Sequence, residues 1–169
     1  DGERRILQAL SVFAGGFTRK AAEAVAGATL VSLAALMAKS LAVRAGDGRY
    51  DLHDIVRQYA AEKLGQAGEA ATVRRRHSEF FISLAQEADA ARNSPQYMGL
   101  VDLLEREHDN VQSALTHLLL HDRVGAWHLA GLLEPYWYRR PVYEAQRWLA
   151  RLVELGDEPG RPVPPGLRA

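Results

Sequence analysis

The sequence predicts a mainly α protein in two parts: a winged helix over residues 1–67 and an array of tetratricopeptide-like helical hairpins over residues 68–156. Three observations carry that expectation. Apolar residues recur at helical spacing along almost the whole chain. One stretch breaks the pattern, LAVRAGDGRYDLH at 41–53, where two short segments flank Gly46-Asp47-Gly48 in the manner of a β-hairpin. From Glu69 onward, helical segments alternate with short breaks, as antiparallel helical hairpins do.

The elements follow in order. Ile6, Leu7, Leu10 and Phe13 form a first apolar stripe, stopped by Gly15-Gly16. Thr18 is placed to cap a second helix ending near Gly27. Thr29 is placed to cap a third, with Leu30, Leu33, Leu36 and Met37 on one face. Residues 41–45 and 49–53 then read as an antiparallel ribbon, and three helices followed by a ribbon are the parts of a winged helix. Asp54 is expected to cap a fourth helix, with Ile55, Val56, Tyr59, Ala60 and Leu64 inward.

In the second part, Val73, His77, Phe80, Phe81, Leu84 and Ala88 mark a long amphipathic helix, ended by Asn93-Ser94-Pro95. Leu100, Val101, Leu103 and Leu104 mark the next. Asp109 is placed to cap the one after, which carries Val111, Ala114, Leu115, Leu118 and Leu119. Two more are expected near 124–137 and 142–155, separated by Pro141. A 34-residue repeat frame fits 126–159, with Tyr136 at an aromatic position, Ala145 at a close-approach position and Leu149 four residues later. Leu133 and Arg140 stand where that frame usually has small residues. Residues 157–169 are proline-rich and read as a linker or a truncated end.

Bulk properties narrow the function classes. Lys plus Arg number 21 and Asp plus Glu number 21, so the chain lacks the broad positive field that carries nonspecific DNA affinity. With no cysteine, disulfides and thiolate metal sites are excluded. No apolar run approaches the roughly 20 residues that span a bilayer, so no membrane partner is expected and a cytoplasmic location is. No Gly-x-x-x-x-Gly-Lys-Ser/Thr occurs, and no nucleophile–base or paired-carboxylate arrangement stands out, so the chain reads as non-catalytic and without a cofactor of its own.

The candidate sites are few. The third helix, TLVSLAALMAKS, has one charge and no Arg, Asn or Gln to bond base edges, which argues against DNA binding. RRRH at 74–77 is the one basic run; on a helix its members point to different faces. His117 and His121 have metal-ligand spacing, but only leucines lie between them, and no metal is expected. Tyr136, Tyr138, Arg139, Arg140 and Tyr143 gather aromatics and arginines as binding surfaces do, and form a candidate partner surface for a protein or small-molecule effector; Tyr136, Trp137 and Trp148 also suit a hairpin core.

The segments ALSVFAGGFTRKAAEAV, LAALMAKSLAVRAGDGRYDLHDIVRQYAAEKL, RRRHSEFFISLAQEAD and LEREHDNVQSALTHLL occur in that order. Together they resemble the region that follows the ATPase module in bacterial STAND proteins of the NB-ARC type, many of them multidomain transcriptional regulators. The resemblance implies an upstream P-loop ATPase module as intramolecular partner, ADP or ATP in the full-length protein, and coupling of nucleotide state to a helical sensor. LHD at 52–54 is similar to the Met-His-Asp motif of that family, which implies that His53 approaches the β-phosphate of ADP while Asp54 orients the turn. Taken without the resemblance, Asp54 is an N-cap and His53 fills the ribbon end. The alternative from a different class is a DNA-binding winged-helix regulator with a helical oligomerisation or ligand domain.

Overall fold

The computed structural model describes residues 2–156; the expected linker at 157–169 lies outside them. Ten α-helices and one two-stranded sheet make up these residues. They divide into two compact units, the first comprising residues up to Phe81 together with Glu107–Ala114, the second comprising Ile82–Arg106 and the residues from Leu115 onward.

In the first unit, α1 (Gly2–Leu10) packs against α2 (Arg19–Ala26), α3 (Leu30–Ala38) and α4 (Asp54–Gln66). The caps expected at Thr18 and Thr29 form. Thr18 Oγ1 accepts from the Ala21 amide, and α2 ends at Gly27 in the left-handed conformation, φ 64°. Thr29 and Ser32 build a reciprocal capping box at the start of α3. β1 (Ala42–Arg44) pairs antiparallel with β2 (Tyr50–Leu52) in the register Ala42–Leu52, Val43–Asp51, Arg44–Tyr50. The connection is a 3-10 turn at Gly46–Gly48. Phe17 adds a bridge to Tyr50, its amide and carbonyl bonding that residue at 2.8 and 2.9 Å.

Leu10, Phe13, Phe17, Leu33 and Leu36 are fully buried or nearly so. They are joined by His77 and Phe81 from α5 (Ala70–Ala90), whose rings lie 4.8 Å apart; the His77 ring is 5.1 Å from Phe13.

The expectation for α4 is corrected on three points. His53, not Asp54, occupies the N-cap, and its side chain makes no capping bond. Asp54 is the first helical residue and is exposed. Ile55 and Tyr59 point outward, 82% and 57% exposed, while Ala60 and Leu64 are buried. Successive helical residues are about 100° apart, so a helix packed chiefly on α1 buries Ala60 and Leu64, half-buries Val56 and leaves the 55/59 row in solvent.

In the second unit, α6 (Tyr97–Arg106), α8 (Arg123–Leu132), α9 (Glu134–Trp137) and α10 (Val142–Gly156) pack together with the C-terminal parts of α5 and of α7 (His108–His121). The single helix expected over 124–137 is two: the chain breaks at Leu133, and Pro135 opens the one-turn α9. Leu129, Leu133, Tyr136 and Leu152 form the centre of this core, and the Trp137 indole N–H donates to the Ala130 carbonyl at 3.0 Å. In the repeat frame Ala145 is half-buried, Trp148 is buried and Leu149 is 45% exposed, so Trp148 takes the inward place assigned to Leu149.

Candidate functional site

The feature with functional geometry in the first unit is the α2–α3 pair and the ribbon after it. The two helices meet at 101° across Gly27–Thr29. That is the angle of a helix-turn-helix, whose second helix is the one presented outward. Local sequence explains the corner: the left-handed Gly27 ends α2, and the Thr29 box starts α3 two residues later. Leu33 and Leu36 turn into the core, whereas Leu30, Val31, Ala34 and Ala38 face solvent.

Exposed cations stand on the elements before and after α3 in the chain: Arg19 and Lys20 in the first turn of α2, Lys39 just after α3 and paired with Glu3, and Arg44 on β1. From Gly2 to His53 the chain has seven Lys and Arg against four Asp and Glu, an excess hidden by the neutrality of the whole.

A buried polar network holds the base of the ribbon. Glu107 is 1% exposed, and its carboxylate accepts from both terminal nitrogens of Arg49 and from Asn110 Nδ2 at 2.6 Å. Arg49 also donates to the Gly15 carbonyl at 3.1 Å. Asn110 accepts from the Ala14 amide and donates to the Gly16 carbonyl, both at 2.8 Å. Sequence reasoning missed all three side chains, since nothing local marks Glu107 and Asn110 as partners of residues 58 to 96 positions earlier.

The residues singled out from sequence fall in different places. His53 is exposed at the junction of β2 and α4, next to exposed Asp54. Tyr136 is fully buried and edge-on to Trp137 at 4.9 Å, which removes it from the candidate partner surface. Tyr138 and Tyr143 are 81% and 65% exposed. Arg139 bonds Asp102 at 2.5 Å and Glu105 at 3.1 Å, and the bond to Asp102 is the main cause holding its guanidinium above the ordinary arginine range. Arg140 pairs with Glu144 at 3.1 Å. Arg74, Arg75 and Arg76 are exposed, and His77 is buried. The His117 and His121 rings lie 4.6 Å apart, and among the described residues no group of three or more His, Cys, Asp or Glu could hold a metal ion. Among the same residues no single helix is long and apolar enough to cross a membrane.

Helix-turn-helix, capped outward helix and pinned ribbon define a winged helix, followed here by further α-helices. Three curated proteins, one from Mycobacterium bovis and two from strains of Mycobacterium tuberculosis, provisionally named HTH-type transcriptional regulators, are each 34% identical to the chain over 167 residues. The match covers 90% of this chain, which spans only 18% of the length of those relatives. An uncharacterised M. tuberculosis protein is 36% identical over 106 residues, covering 56% of this chain and 27% of its own. No family model matches, and no solved structure does. The three relatives matched over 167 residues are named as regulators, not as enzymes.

The expectation against DNA binding is overturned by these relatives together with the winged-helix ribbon. It rested on net charge and on the lack of base-bonding side chains in the third helix. Net charge averages over the chain, whereas contact with a duplex depends on the cations around the presented helix, and phosphate contacts need no base-reading side chain.

Proposed function

We propose that the chain is a non-catalytic, winged-helix regulatory module that contacts duplex DNA and is joined to a tetratricopeptide-like helical array that senses a partner. The observation that carries the reading is the 101° corner between α2 and α3 with the pinned ribbon behind it. In this reading Arg19 and Lys20, at the N-terminus of α2, and Arg44, on the wing, bond phosphates. Leu30, Val31 and Ala34 meet base edges through apolar contact, of the kind made with thymine methyls, so affinity is mostly electrostatic and discrimination modest. In the array, exposed Tyr138 and Tyr143, with Arg139 next to Tyr138 in the chain, form the partner surface.

Fluorescence anisotropy with a labelled duplex across a salt series tests the proposal. Affinity should fall steeply with salt, and Arg19→Ala or Arg44→Ala should each reduce the log–log salt slope by about 1. Failure to form a complex even at low salt would refute it.

A second reading is favoured by His53, which stands exposed at a helix N-terminus and spends its side chain on no capping bond. In a STAND-type protein of greater length, His53 would donate to a phosphate of bound ADP, with Asp54 beside it. His53→Ala should then speed ADP release from that longer protein; an unaltered release rate would remove the role.

A further inference from the structure

The ribbon is too small to hold itself. Each strand has three residues, and an isolated two-stranded hairpin is marginal in water. Its outside support comes from the Phe17–Tyr50 bridge, from the network around Glu107, from Arg57, which bonds Asp51 and the Leu52 carbonyl, and from packing of β1 on α3. In that network residues 14–16, Arg49 and residues 107–110 each bond the other two segments. A buried carboxylate without partners would be costly, yet Glu107 receives three N–H donors, two of them from a guanidinium. Backbone shape agrees independently. A Cβ at Gly15 would lie 2.8 Å from Asp109 Oδ2, so the turn is contoured to the start of α7.

We propose that Glu107 and Asn110 form a latch that holds the wing and the Gly15–Gly16 turn, so that the position of the wing is set by the start of α7. Residues 107–114 belong to the same unit as the wing and the turn, so the latch closes within that unit. Closed, it also occupies Arg49, a wing cation that becomes available to an anion when the latch opens. The latch operates whether or not the wing meets DNA.

Amide hydrogen exchange on the whole chain tests it. Glu107→Gln removes the charge that pairs with Arg49, and Arg49→Lys keeps a cation but loses the two-pronged contact. In either variant the amides of residues 14–17 and 42–52 should exchange roughly tenfold faster or more, while those of α8 and the middle of α4 keep their rates. If Glu107→Gln fails to fold, Arg49→Lys is read in the same way. The double variant Arg49→Met/Glu107→Leu separates latch from glue. Removing both charges leaves none uncompensated, so the melting temperature should return towards wild type while the wing still exchanges fast. Unchanged wing exchange in the single variants, a uniform rise across residues 2–81, or wild-type wing exchange in the double variant would each overturn the latch.

Discussion

Gly16 is where backbone conformation and tertiary packing can be separated by experiment. Its φ is 74°, a conformation that costs a residue with a Cβ about 1–2 kcal/mol. A Cβ there would also lie 2.9 Å from the Tyr50 carbonyl oxygen, with the Asp51 side chain behind at 3.6 Å. That oxygen accepts from the Phe17 amide at 2.8 Å, so it cannot withdraw without stretching the bridge that docks the wing. Gly27 has a similar φ of 64°, but a Cβ there would meet nothing within 4 Å, and Gly65 lies within α4 with the same open space and no positive φ. Gly16→Ala should therefore cost about 3–4 kcal/mol, the strain plus a contact that must be relieved. Gly27→Ala should cost about 1–2 kcal/mol, from strain alone. Gly65→Ala should stabilise by roughly 0.5–1 kcal/mol, because alanine loses less freedom in a helix. Denaturant titrations of the three variants give the ordering directly. If Gly16→Ala costs no more than Gly27→Ala, the close approach of the turn to β2 is not real and the wing is not pinned there.

Other consequences are simpler. Phe81→Ala empties a fully buried site against His77 and Phe80 and should cost about 3–5 kcal/mol, read from the same titrations. Thr29→Ala removes the capping box of α3 and should cost about 1 kcal/mol; a loss below the error of measurement would mean that packing alone holds the corner. Arg139→Ala should leave the melting temperature nearly unchanged, because its ion pairs with Asp102 and Glu105 are solvent-screened. Since the folded state raises the pKa of Arg139, any contribution from this contact is fully present below the ordinary arginine range and is lost only as pH rises beyond it, so a pH series around neutrality should show no titration of it.

What the sequence determined by itself is what short-range chemistry controls. Thr18, Thr29 and Gly27 mark helix ends because their partners lie within a few residues, and they were legible for that reason. The Gly46-Asp47-Gly48 segment announced a ribbon in the same way, and helical periodicity announced the α-rich remainder. Tertiary structure decided the rest. A stripe pattern cannot say how many neighbours a helix has, so Ile55 and Tyr59 of α4 read as core although the packing leaves them exposed. Tyr136 read more readily as core than as partner surface, and the packing of the one-turn α9 buries it fully. Above all, the return of residues 107–114 to the winged helix depends on Glu107 and Asn110 finding Arg49 and the Gly15–Gly16 turn after a long excursion of the chain. A carboxylate in a turn and an amide in the first turn of a helix look solvent-facing in one dimension; only the three-dimensional fold supplies the guanidinium and the backbone groups that let them be buried.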